Sequence, residues 1–127
     1  MAYGSICRGL LSGRMAPDTR FQGDDLRRHD PKFQQPRYSQ YLKAVSAFES
    51  LAARRHDRHV LELAVRWVMD QGAIALWGAR HPGQLDQIEK VFGWSLDSCD
   101  FETIDTLIRD AVTDPVGPEF MAPPARE

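Results

Sequence analysis

The chain has 127 residues, 43% hydrophobic and 27% charged, and its 16 Lys+Arg against 18 Asp+Glu leave a formal net charge of -2. That composition fits one soluble, globular domain and supplies no basic excess for nucleic acid or an anionic membrane, so neither is an expected partner. The longest wholly apolar stretch, Ala73-Ile74-Ala75-Leu76-Trp77, falls far short of the roughly 20 residues that span hydrocarbon.

Residues 1–14 show no basic leader followed by a long apolar core and a small-residue cleavage site, so a reducing, cytoplasmic setting is expected. Cys7 and Cys99 stand far apart without a CxxC partner, and both are expected as free thiols rather than as parts of a disulfide framework or a zinc cage.

The run Ala2-Tyr3-Gly4-Ser5-Ile6-Cys7 is aromatic and aliphatic and reads as a short strand. It passes into Arg8-Gly9-Leu10-Leu11-Ser12-Gly13, where two glycines permit a sharp turn or the close approach of a ligand to the backbone. Residues 16–37 hold Pro17, Pro31 and Pro36 among charges and amides without a sustained period, which predicts a long surface loop, either a functional excursion or disorder. Over 39–55, Tyr41, Val45, Phe48 and Ala52 recur at helical spacing and share one face that needs a core. Leu61, Ala64, Val65 and Val68 repeat the pattern over 58–71, with Gly72 placed to end that helix in the left-handed conformation.

Residues 73–77 contain no polar side chain and read as a strand covered on both faces in a parallel sheet. Gly78-Ala79-Arg80-His81 then leads to Pro82, suited to a first helical position, and Leu85, Ile88 and Phe92 continue at helical spacing. A last helix over about 100–112 carries Phe101, Ile104, Ile108 and Ala111 on one stripe, with Asp100 as its expected cap. Beyond it, Asp114-Pro115-Val116-Gly117-Pro118 and Pro123-Pro124 exclude regular structure and leave Glu119, Phe120 and Met121 as an apolar patch on an extended tail. Two short strands with about four helices are an odd inventory for a closed α/β domain.

The turn Gly78-Ala79-Arg80 carries the strongest site signal, because it joins the carboxyl end of a strand to the amino end of a helix. Unpaired N–H groups and a helix dipole there attract an anion, Gly78 leaves room for it, and Arg80 adds a planar, bidentate donor. The competing reading is a β-to-α turn with a solvated arginine. His56-Asp57-Arg58-His59 has the residue types of a metal site, but Arg54 and Arg55 oppose a cation, and a solvated turn between helices is expected instead. His29 and Asp30, in the proline-bearing loop, carry no stronger signal. Cys7 would act as a nucleophile only beside a base that lowers its pKa, and Trp67 and Trp94 read as packing residues.

The segment from Ala2-Tyr3-Gly4-Ser5-Ile6-Cys7-Arg8-Gly9-Leu10-Leu11-Ser12-Gly13 through Arg14-Met15 closely resembles the seventh-strand region of aldo-keto reductases. Leu63-Ala64-Val65-Arg66-Trp67-Val68, Ile74-Ala75-Leu76-Trp77-Gly78-Ala79-Arg80-His81-Pro82-Gly83-Gln84-Leu85 and Asp114-Pro115-Val116-Gly117-Pro118 resemble the same family's carboxyl-terminal portion, nearest to the bacterial branch that includes general stress reductases. The resemblance implies an α/β fold, the carboxyl-terminal part of a (β/α)8 barrel. Such barrels need about 250 residues, so the chain corresponds to roughly the second half, with residues 1–114 as the barrel segment and 115–127 as a proline-rich tail.

It also implies NADPH as cofactor. Tyr3 would stack on the nicotinamide. The backbone of Gly4, Ser5, Ile6, Cys7, Arg8, Gly9 and Leu10 would run past the coenzyme and approach the pyrophosphate around Ile6 to Leu10. Gly78, Ala79 and Arg80 would seat the 2′-phosphate, and Gln84 would lie beside the adenosine. Where the family often continues with Glu-Asn, Gln87 and Ile88 stand instead, so no adenine contact is carried over there.

Complete members reduce aldehydes or ketones by hydride transfer, with a tyrosine, a lysine, an aspartate and a histidine at the carbonyl. None of those four has a matching position here, so no catalytic residue is assigned and turnover by this chain alone is not expected. A complementary amino-terminal fragment, or self-association through exposed strand edges, is the expected partner besides NADPH. Two alternatives stand beside this reading: a non-catalytic nucleotide-binding or assembly module, and a helical interaction protein using the tail around Phe120.

Overall fold

The computed structural model describes residues 1–117. Three α-helices, α1 (Arg37–His56), α2 (Val60–Asp70) and α3 (Ser98–Ala111), carry the architecture, and short 3-10 segments fill the connections. Helix α1 is central because Tyr38, Tyr41, Ala44, Val45, Phe48, Leu51 and Ala52 recur every three or four residues and are all buried. Leu10, Phe33, Val60, Leu63, Leu96 and Val112 close the same core from the flanking elements.

The break between α1 and α2 is chemically specified. Asp57 takes a left-handed φ of 52° and donates its N–H to Ala52 and Ala53 oxygens. His59 N–H then donates to Glu62 Oε2 at 2.6 Å, and Val60 N–H donates to Glu49 Oε2 of α1 at 2.8 Å, so carboxylates satisfy the opening donors of α2. Gly72, at φ +80°, ends α2 in the left-handed conformation, as its position predicts. Helix α3 starts at Ser98, two residues earlier than the sequence suggests. Asp97, not Asp100, is its cap, accepting Asp100 N–H at 2.8 Å, while Asp100 Oδ2 accepts Asp97 N–H at 3.1 Å.

The strands differ most from expectation. Among the described residues the two predicted strands reduce to one parallel bridge, Ala2 with Ala75, in which Ala2 N–H donates to Ile74 O at 2.8 Å and Leu76 N–H donates to Ala2 O at 2.9 Å. Residues 73–77 are not covered on both faces: Ile74 is 68% exposed and Leu76 44%. With the Ala2 bridge as its one described pairing the segment builds no ladder, and only the side carrying Ala73, Ala75 and Trp77 is partly covered. The first segment leaves strand geometry directly after Ala2: Tyr3 bends, Ser5 and Ile6 form a turn, and 3-10 turns kinked at Arg8 and Gly9 follow over Cys7–Ser12.

The helix expected from Pro82 is likewise two 3-10 pieces, Pro82–Leu85 and Ile88–Val91, with Phe92 exposed. The loop over 16–37 is ordered by its own acids: Asp25 caps Leu26–Arg28 and Asp30 caps Pro31–Phe33. Arg37 pairs with Asp114, and Val116 N–H donates to Tyr41 Oη at 2.9 Å, which fastens the start of the tail to α1. The patch at Glu119, Phe120 and Met121 lies outside the described residues.

Candidate functional site

The Ala2–Ala75 bridge sets two turns side by side, one after each bridging segment. In the first, Cys7 and Arg8 hold left-handed φ values of 49° and 54°, followed by Gly9 at 87°. Each non-glycine residue there costs roughly 1–2 kcal/mol, so tertiary contacts must hold the turn. Asp30 supplies one. Fully buried, it takes Arg8 Nη1 at 3.2 Å and Lys32 Nζ at 2.9 Å, and its Oδ1 accepts Lys32 N–H. Burial pushes the Cys7 thiol up, Asp30 reinforces that, and the charges of Lys32 and Arg8 do not reverse it. The thiol is therefore unsuited to act as a nucleophile.

In the second turn the anion seat differs from its sequence-based form. Gln84 Oε1 accepts Arg80 N–H at 2.6 Å and His81 N–H at 3.3 Å. Those donors are thus already engaged, and the four-residue Pro82–Leu85 turn is too short to supply a helix dipole. What remains for an anion is charge. Arg80 is exposed at the rim, close enough to lower the Asp25 carboxyl. A Cβ built on Gly78 would meet nothing within 4 Å, so this position opens into free space.

Both turns line one cleft of about 810 Å³. Ile6, Arg8 and Gly9 form one side, Gly78, Ala79, Arg80 and Gln84 another, and Gln22, Asp24, Asp25, Leu26 and Arg27 of the loop close it. The loop residues have no place in the sequence-based site. The dense charge at Asp24-Asp25-Leu26-Arg27-Arg28 is the one signal that marks them. Arg27 forks onto Asp25, with Nε 3.0 Å from Oδ1 and Nη2 2.6 Å from Oδ2, and the Arg27 side chain and N–H hold the Asp25 carboxyl down at about 2.

Five expected residues sit elsewhere. Tyr3, Gly4 and Ser5 line a separate, mainly apolar groove with Phe48, Trp67 and Ile104, and the buried Ser5 hydroxyl donates to Ala2 O at 3.2 Å. Trp67 borders this groove, about one-third exposed, instead of packing in the core. Cys7 and Leu10 are not among the residues lining the cleft, and Leu10 points into the core.

The segment 56–59 does turn between α1 and α2, with Asp57 and His59 exposed as expected, but His56 is not part of that solvated surface. His56 is largely buried, packed at a tilt against Trp94 with centroids 4.8 Å apart, and its Nε2 lies 2.9 Å from Oδ2 of the fully buried Asp100. Among the described residues no three His, Cys, Asp or Glu side chains group as a metal site requires. No helix among them is long and apolar enough to cross a membrane.

Comparison with known proteins bears on this geometry. The sequence model of the Aldo/keto reductase family matches residues 1–109. Aldo-keto reductase YhdN of Bacillus subtilis (strain 168) is 56% identical over 129 residues, covering 100% of this chain and 39% of that protein. Aldo-keto reductase str7 of Strobilurus tenacellus is 28% identical over 72 residues, covering 57% of this chain and 21% of its own. The structure of the glycerol dehydrogenase AKR11B4 from Gluconobacter oxydans superposes with a TM-score of 0.85 at 50% identity, covering 96% of this chain and 37% of that one. The chain thus spans less than two fifths of the length of each of these relatives.

Proposed function

The chain belongs to the aldo/keto reductase family, and from that premise we propose that it forms the coenzyme-binding, carboxyl-terminal part of an NADPH-dependent carbonyl reductase. The observation that carries this reading is the shared cleft, where Ile6, Arg8 and Gly9 meet Gly78, Ala79, Arg80 and Gln84. Its volume falls within the range of small-molecule sites, and the open space at Gly78 suits close approach of a phosphate to the backbone.

In this reading Arg80 pairs with the 2′-phosphate as a planar, bidentate donor. The backbone around Gly9 flanks the pyrophosphate. Gln84 holds the Arg80 turn through its Oε1 and faces the adenosine with its amide nitrogen, while Tyr3, in the separate groove, is given no contact with the coenzyme. When bound, the coenzyme supplies the hydride that reduces an aldehyde or ketone. The residues assigned here bind and orient it, and none is a proton donor for the carbonyl oxygen. We therefore assign no turnover to this chain by itself.

Titration of the chain with NADPH and NADH tests the reading. Binding should favour NADPH, and Arg80→Ala should abolish the preference while leaving NADH binding intact. Absence of NADPH binding, or a preference that survives the substitution, would overturn the phosphate assignment. Sustained reduction of a generic aldehyde by the isolated chain would overturn the assigned inactivity.

A second reading, an assembly module, draws support from the exposed apolar face at Ile74 and Leu76. Within it, residues 1–114 act as the docking body and 115–127 as an appended tail, and the occupant of that face is either an amino-terminal barrel fragment or a second copy.

A further inference from the structure

We propose that residues 73–77 form a self-pairing edge, at which two copies of this chain join as antiparallel strands about a two-fold axis through Ala75. This rests on the assembly reading given above, not on the coenzyme reading, and it commits the open edge to one occupant, a second copy.

Three observations carry it. The first is the direction of the backbone groups. The bridge to Ala2 uses Ile74 O and Leu76 N–H, so the N–H and C=O of Ala75 point to the opposite side. With a period of two, those of Ala73 and Trp77 point there as well. Ala73 N–H donates to Val68 O at a long 3.4 Å, and among the described residues the Ala75 and Trp77 N–H groups and the three carbonyls have no hydrogen-bond partner.

The second observation is self-complementarity. About an axis through Ala75, that residue faces its own copy, Ile74 faces Leu76, and Ala73 faces Trp77. Ala75 N–H then donates to Ala75 O of the second copy and Trp77 N–H to Ala73 O, in both directions. Ile74 and Leu76 occupy the non-hydrogen-bonded positions, where facing side chains approach most closely. Both are aliphatic, and they are 68% and 44% exposed. The third observation is that the edge is unguarded: residues 73–77 hold no charged side chain and no proline, the devices that keep open strands apart.

The same geometry limits the assembly. On the far side of each copy the sheet ends at Ala2, because Tyr3 already bends, so no further ladder grows from there. A closed two-fold dimer follows, not a fibre. One short strand pair with two aliphatic side chains from each copy falls short of the roughly 1,200 Å² that a stable interface buries. The dimer is therefore weak and exchanging, with a dissociation constant in the micromolar range or above.

Sedimentation equilibrium of the native chain should fit a monomer–dimer exchange. Ala75→Pro removes the outward N–H but leaves the Ala2 bridge, so it should raise the dissociation constant roughly tenfold or more for the lost ladder bonds, with a urea midpoint near native. Crosslinking reads the register. With Cys7→Ser and Cys99→Ser in place, an oxidised-glutathione mixture of Ile74→Cys and Leu76→Cys chains should form the mixed disulfide dimer faster than either chain alone, since facing Cα atoms at that position lie about 4.5 Å apart.

A dimer without that crosslinking preference would overturn this inference and leave the assembly reading standing through another surface. So would a folded Ala75→Pro chain that dimerises as the native one does. If Ala75→Pro does not fold, the crosslinking pair decides alone. A native chain that stays monomeric at every concentration would overturn self-pairing. Binding of an amino-terminal aldo/keto reductase fragment by that monomer would keep the assembly reading with its other occupant, and failure of that binding too would overturn both.

Discussion

Gly78 and Gly9 are both glycines of the cleft, for different physical reasons. Gly9 holds φ +87°, where a side chain is strained whatever the space. Gly78 has no such φ, and an added Cβ would touch nothing within 4 Å, so the fold itself does not require a glycine there. Gly78→Ala should leave the urea midpoint close to native, since surface changes away from special backbone positions usually stay within about 0.5 kcal/mol. The same methyl would stand where a phosphate approaches the backbone, so NADPH affinity should drop severalfold. Parallel denaturation and titration measure the two effects, and a drop in stability without a drop in affinity would remove Gly78 from the site. Gln84 shows a related distinction at single-atom level. Its presence in the turn is legible in the sequence, but the capture of Arg80 and His81 N–H groups by its Oε1 emerges only once the turn is folded.

At the scale of elements, the seam between α1 and α3 is fixed by one fully buried carboxylate. Asp100 meets His56 Nε2 at 2.9 Å and Arg55 Nε at 2.7 Å, and also takes part in the cap of its own helix. Removing a buried acid from a paired cluster leaves its partners facing a void of charge. Asp100→Ala should accordingly cost about 3 kcal/mol, read from chemical denaturation by far-UV circular dichroism. Asp97→Ala, which removes an exposed carboxylate from the same cap, should cost clearly less. Equal losses would mean that capping alone explains both. The apolar stripe of α3 is readable from Phe101, Ile104 and Ile108, but the cap assignment is not. Asp97 and Asp100 have the same chemistry three residues apart, and only the backbone geometry distinguishes a cap from the third helical residue. The face of α1 and the terminating Gly72 are legible because they are local properties, whereas α2 buries Val60, Leu63 and Val65 in place of the expected stripe of Leu61, Ala64, Val65 and Val68.

For the molecule as a whole, the exposed apolar residues lie in a pattern. Ile74 and Leu76 alternate along the bridging segment and so point to one side of it, and Phe92 stands exposed beyond the last 3-10 turn. An open strand edge beside such a face favours pairing with another chain. Sedimentation of the isolated chain should show an average mass that rises with concentration, and Leu76→Lys should shift it toward the monomer. A concentration-independent monomer would rule out self-association as the fate of this edge.

The family, the helical faces of α1 and α3, the presence of α2, and the two turns of the candidate site follow from the order of residues alone. Helical periodicity, glycine placement and motif similarity are encoded over short stretches of chain. Tertiary structure decided the rest. Whether 73–77 becomes a buried strand depends on neighbours on either side, and within the described residues it has only Ala2. Whether Asp25 and Arg27 belong to a site depends on where a loop of 22 residues folds back, and nothing local in a charged, proline-bearing segment specifies that. Long-range placement comes from the buried Asp30 pairing with Arg8 and Lys32. It is this contact between distant residues that draws the loop against the first turn and closes the cleft.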